Sequence, residues 1–118
     1  MVTIYKLDDS KFIPGGGYAR NYVAEVIFKK PPTNAGFINV KIPPGVQTTP
    51  HAHEKLEEVF VILNPTKIGI GTELFEVDEG DIIVVEPGEM HWFDNSESGD
   101  TQIIAIKFPN LSSDRITR

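Results

Sequence analysis

His51-Ala52-His53-Glu54-Lys55-Leu56-Glu57-Glu58-Val59-Phe60-Val61-Ile62-Leu63 is the stretch on which the reading of the chain turns. It holds two of the three histidines in 118 residues. Residues two apart in a strand point to the same face, so the imidazoles of His51 and His53 can converge on one point, as two metal ligands must. An isolated His-x-His more often marks the solvated end of a polar strand. The carboxylates that follow alter the balance. Alternation sends Glu58, Phe60 and Ile62 to one face and Glu57, Val59, Val61 and Leu63 to the other, so only one glutamate can face inward. An inward carboxylate without a partner is costly, and a metal ion removes that cost. The competing reading leaves both glutamates solvated at the strand start.

The third histidine lies in Gly80-Asp81-Ile82-Ile83-Val84-Val85-Glu86-Pro87-Gly88-Glu89-Met90-His91-Trp92-Phe93-Asp94-Asn95. A buried strand runs into Pro87-Gly88, where the glycine is expected to supply positive φ in a tight turn, and the chain re-enters with His91. Beside Trp92 and Phe93, a lone histidine would ordinarily be a core residue. Outward from these segments, nine prolines and ten glycines separate short runs rich in Val, Ile, Phe and Thr. This punctuation predicts strands near residues 3–6, 22–29, 36–42, 59–63, 67–70, 74–77, 81–85 and 101–108, with another short strand carrying His51 to His53. No window shows sustained helical periodicity; one helical turn is expected within residues 112–118. Strands at this spacing imply a sandwich or barrel. Gly15-Gly16-Gly17 reads as a loop, since a phosphate cradle needs a preceding strand and a following helix.

Gly45-x5-His51-x-His53-x4-Glu58 resembles the first motif of the cupin superfamily, and Gly80 to Asn95 resembles the second, ending Pro87-x3-His91-x3-Asn95. The two motifs account for every histidine present. The resemblance covers residues 45–95 and implies an all-β, double-stranded β-helix (jelly-roll) barrel, with one domain over residues 1–118. It also implies that His51, His53, Glu58 and His91 ligate one divalent metal ion. Glu86 stands where the family usually has proline, and Asn64-Pro65 replaces a common glycine; neither position is a ligand. Glu58 rather than Glu57 follows from aligning Glu58-Val59-Phe60 with the family's acidic-then-apolar strand start.

The absence of cysteine excludes disulfides and thiolate chemistry, and with it a thiolate-based structural zinc site. Manganese, iron or nickel suits three imidazoles and a carboxylate best; zinc or copper could also occupy the site. A net charge of −6 disfavours nucleic acid, and no apolar run approaches a membrane span. The N-terminal residues lack the pattern of a signal peptide, so a cytoplasmic location is expected. The expected partners are a small-molecule substrate and a second copy of the chain. The homodimer is expected because small cupins commonly pair, and because Val2, Ile4 and Tyr5 have little else to bury them.

Cupins include dioxygenases, oxalate-degrading enzymes, sugar isomerases and epimerases, and non-catalytic ligand-binding proteins, so the fold leaves the reaction open. The favoured expectation is a metal-dependent, dioxygenase-like oxidoreductase acting on a small oxygen-rich molecule. The alternatives are an isomerase, epimerase or lyase of a sugar or sugar acid, or a non-catalytic binder. An isomerase needs an acid or base besides the ligands; by residue type these would be Glu57, Glu86, Glu89, Tyr18 or Tyr22. A dioxygenase needs an apolar pocket, for which Phe60, Ile62, Met90 and Phe93 are candidates. Of the three arginines, Arg20 alone lies away from the C-terminal tail, which argues against a phosphorylated substrate.

Overall fold

A computed structural model describes residues 2–28 and 30–117. Its strands are β1 (Thr3–Tyr5), β2 (Ile13–Gly15), β3 (Tyr18–Arg20), β4 (Gly36–Ile42), β5 (His51–His53), β6 (Glu57–Ile62), β7 (Thr66–Ile70), β8 (Glu73–Val77), β9 (Ile82–Val85), β10 (His91–Asp94), β11 (Thr101–Phe108) and β12 (Arg115–Thr117). A 3-10 turn, Asp9–Lys11, is the one helical element among the described residues. None of the described helices is long and apolar enough to cross a membrane.

Two five-stranded antiparallel sheets form the body, ordered β1-β9-β6-β11-β4 and β12-β5-β10-β7-β8; β2 and β3 make a separate hairpin. This is the expected jelly-roll barrel. The core joins the inner faces of both sheets. Phe60, Ile62, Ile83, Val85, Ile103 and Ala105 come from the first sheet, and Ile68, Val77 and Phe93 from the second. These residues alternate along their strands with more exposed ones, the two-residue period of a half-buried sheet. Val2 and Ile4 pack on this core, which corrects the expectation that the first strand lacks a surface to cover.

Residues 22–28 do not form the expected strand; Lys29, the last of that run, lies outside the described residues. Val26 and Ile27 instead line a cleft with Thr3, Tyr5 and Val84, and the Phe28 ring packs 4.6 Å from that of Phe108. Val84 faces away from the core yet is only 8% exposed. The run therefore gains partial burial by crossing the back of the first sheet, and strand hydrogen bonds are not needed. The C-terminal segment also differs. Instead of a helical turn it forms β12, which pairs with β5 and puts Arg115 opposite His53.

Asp81 fixes the approach to β9. Its buried carboxylate accepts hydrogen bonds from Lys6 Nζ at 2.8 Å, Leu7 N at 3.0 Å and Asp78 N at 2.7 Å. Burial alone would raise its pKa; the three donors outweigh burial and hold it below 3.8. A carboxyl whose pKa falls on folding stabilises the native state above its unfolded value. That contribution is lost as the pH drops through 3.8 and below. Asp81→Ala should cost about 1–3 kcal/mol at neutral pH, because buried N–H groups lose their acceptor. Chemical denaturation should show this difference shrinking below pH 4; a constant difference down to pH 2 would contradict the assignment.

Candidate metal centre

The centre is assembled by strand register. His51 on β5 and His91 on β10 are direct cross-strand partners, with ring centroids 4.5 Å apart. His53 lies two residues along β5 and shares the inward face; its ring is 5.4 Å from His51 and 6.3 Å from His91. Glu58 enters from β6 in the facing sheet. Its Oε1 lies 3.2 Å from His53 Nε2 and 3.5 Å from His91 Nε2. His51, His53 and Glu58 each offer a ligand atom within 4.8 Å of the others, a group able to hold a metal ion. Alternation along β6 turns Glu58 inward as expected. Glu57 is also buried, on the opposite face and against outer clefts, so the solvated reading of the pair fails.

Hydrogen bonds aim the rings. His51 Nδ1 donates to the Thr49 carbonyl at 3.1 Å, and His91 Nδ1 to the Glu89 carbonyl at 2.9 Å. Each bond places the ring proton on Nδ1 and leaves Nε2 as a lone pair. Gly88 supplies the positive φ expected of its turn, +84°, and its N–H donates to the His53 carbonyl at 2.7 Å. The turn before His91 is thereby tied to the strand carrying the other two histidines. Asn95 is fully buried; its amide donates to the carbonyls of Ile42 and Gly99, and its Oδ1 accepts from Glu97 N. It shapes the loop after β10 and is no ligand.

His53 Nε2, His91 Nε2 and Glu58 Oε1 are buried and have no hydrogen-bond partner among the described residues. Each unmade bond of this kind costs about 1–3 kcal/mol. Three lone-pair atoms left bare at one point fit a cation. Burial opposes the charge on Glu58, but the imidazoles of His53 and His91 outweigh it and hold the carboxyl at about 2. Burial lowers His51 to about 4 against the opposing bond to Thr49; the charges of His91 and Arg115 add to the lowering. At neutral pH the centre thus presents a carboxylate and a neutral imidazole, the forms that ligate.

The centre forms the floor of a cavity of about 410 Å³. Phe60 and Phe93 line it as expected, whereas Ile62 belongs to the core. Glu57, Glu86, Glu89 and Tyr22 are not among its described lining residues. Glu86 borders an outer cleft with Glu57, Tyr22 is 86% exposed, and Tyr18 lies on the β2–β3 hairpin. Glu89 contributes the carbonyl that orients His91. Arg20 lies at the β2–β3 hairpin. Among the described residues the cations at the cavity are Lys107 and Arg115, the latter in a tail that no sequence pattern places there. The signal for Lys107 was available: alternation along β11 puts it on the face of Ile103 and Ala105. Arg115 depends on the β12–β5 pairing, which no local pattern announces.

Asp114 holds that pairing in place. Its carboxylate accepts from the backbone N–H groups of Lys55 and Leu56 at 2.8 and 2.9 Å, and its carbonyl accepts from Glu54 N. Asp114→Ala should destabilise the protein by about 1–3 kcal/mol, because two amides lose a charged acceptor. Amide exchange in β12 should quicken beyond this global loss. Unchanged exchange at Ile116 would contradict the role of Asp114.

Residues 38–107 match the family described as the cupin domain. No curated protein matches the chain. Among solved structures, a predicted oxalate decarboxylase from Thermotoga maritima is 25% identical, with a TM-score of 0.58 over 63% of this chain and 65% of that one. An uncharacterized conserved protein from Klebsiella pneumoniae, with a double-stranded β-helix domain, is 18% identical, with a TM-score of 0.66 over 92% and 91%. The Bacillus subtilis oxalate decarboxylase, with its Mn(II) centres, is 14% identical, with a TM-score of 0.63 over 71% of this chain and 24% of that enzyme. The chain therefore spans just under two thirds of the Thermotoga protein and about a quarter of the Bacillus enzyme.

Proposed function

The chain belongs to the cupin domain family, and from that premise we propose that it is a metal-dependent enzyme holding one divalent ion through His51, His53, Glu58 and His91. The carrying observation is the set of buried, unpartnered ligand atoms on His53, His91 and Glu58. Three nitrogens and one oxygen suit manganese, iron or nickel, with zinc or copper as possible occupants. The ion would supply a Lewis acid with positions open to substrate oxygens. The protein residues orient the ligands and surround the substrate with Phe60 and Phe93, excluding water.

An oxidoreductase of dioxygenase type, acting on a small oxygen-rich molecule, is the favoured reading. The cavity supports it: Phe60, Phe93 and the other apolar residues that line it stand beside the centre, so the chemistry would rest on the ion. A lyase is the second reading, favoured by the two structural neighbours named as oxalate decarboxylases. A homodimer in the cytoplasm completes the proposal. Tyr22, Ile27 and Phe37 are 86%, 83% and 72% exposed, apolar surface that a second copy would cover.

Metal analysis after purification should find one ion per chain, and adding manganese, iron or nickel to chelated protein should raise its melting temperature. At a hundredfold excess over Kd the gain is about 2.7 kcal/mol. His91→Ala should remain folded but bind metal at least tenfold more weakly, since even residues behind the ligands contribute roughly 10–100-fold. Equal metal stabilisation of the variant would make His91 a packing residue and overturn the four-ligand centre. For the assembly, light scattering should report twice the mass of one chain; a monomer at micromolar concentration would refute it.

A further inference from the structure

Above the proposed centre the cavity changes character. Ile38, Val40, Phe60, Phe93, Ala105 and Leu111 give it apolar walls. Thr48, Ser112 and Asp114 interrupt this lining, and so do two cations, one from each sheet. Lys107 lies opposite Glu58 in the β11–β6 register and faces inward with Ala105, half-buried. Arg115 lies opposite His53 across the β12–β5 pair. Neither makes an ion pair within 4.0 Å among the described residues. The carboxylates at the cavity face other groups: Glu58 Oε1 lies 3.2 and 3.5 Å from the Nε2 atoms of His53 and His91, and Asp114 accepts from the N–H groups of Lys55 and Leu56.

A half-buried ammonium facing a largely apolar cavity with no carboxylate within 4.0 Å is unfavourable for the protein alone. An anionic group entering the cavity would relieve it, and charge-assisted hydrogen bonds from Lys107 and Arg115 are the strong class of such bonds. The two cations favour an anionic group, such as a carboxylate, at one end of the ligand. The six apolar walls require a hydrocarbon body at the other, which oxalate lacks. We propose that this cavity binds a small monocarboxylate with an apolar body, its carboxylate held between Lys107 and Arg115 and its body against Ile38, Val40 and Leu111. The inference rests on the proposed function for its identification of the cavity as the substrate site. The anion preference itself rests on the two cations.

Benzoate, its neutral isostere benzamide, and oxalate serve as probes, with binding measured by calorimetry and by methyl NMR shifts of Ile38, Val40 and Leu111. Wild-type protein and the variants Lys107→Met and Arg115→Gln are each tested after chelation and after manganese loading. Chelated wild type should bind benzoate at least tenfold more tightly than benzamide, and more tightly than oxalate. Each variant should lose most of that preference while its benzamide affinity stays unchanged. Should Lys107→Met fail to fold, exposed Arg115→Gln carries the test alone. Equal affinity for benzoate and benzamide, tighter binding of oxalate, or variants that keep the preference would overturn the proposal. A preference present only with manganese would also overturn it, since the carboxylate would then be reading the ion. Failure of manganese to bind, with the benzoate preference intact, would refute the metal centre while supporting the anion site.

Discussion

Glu58 is a carboxylate set at the inner end of an apolar strand, and three imidazoles from the facing sheet surround it. A charge so placed can persist only if its surroundings compensate for the water it has lost. The compensation is divided between the two sheets. β6 carries the acid; β5 and β10 carry the nitrogens, in a register that makes His51 and His91 direct neighbours. A shift of one residue in either strand would turn a histidine outward and leave the acid with fewer neighbours in its buried setting. The surrounding devices all bear on that register. Gly88 N–H binds the His53 carbonyl, Thr48 binds Phe93 through both backbone and side chain, and Asn95 ties the loop after β10 to Ile42.

Much of this was legible in the sequence because the chemistry is local and periodic. Two histidines two apart, an acid at a strand mouth and a Pro-Gly turn before the third histidine each have a physical meaning within a few residues. The strands that form the barrel carried alternation and breaks, and they appear near their expected places. Residues 22–28 misled because apolar content reports burial, not its mode. Val26 and Phe28 of this run find partial cover across the back of a sheet while Tyr22 and Ile27 stay exposed, and a strand needs an edge to bond with. The C-terminal segment misled for the opposite reason. Few residues there are apolar, and β12 exists because Asp114 captures two amides of the loop between β5 and β6.

The same asymmetry runs through the site. Candidate ligands could be named because a metal demands particular residue types at particular spacings. The residues that would select a substrate answer to no such rule: a lysine or arginine is an ordinary surface residue until the fold brings it over a cavity. Lys107 and Arg115 are 8 residues apart in the chain yet approach from different sheets. Only the topology gives them a common target.

Trp92, the single tryptophan of the chain, sits between inward-facing His91 and Phe93 and so points out of the barrel. It lies across Gly69 on β7, where a Cβ would overlap its indole. The glycine leaves a flat seat, and the ring closes it on the outside of the sheet whose inside carries the histidines. One backbone residue thus separates a natural fluorophore from the centre. Light absorbed on the outer wall of the barrel becomes an optical gauge of β10: a shift of that strand that moves His91 also moves the indole on its seat, and the emission registers it without any added label.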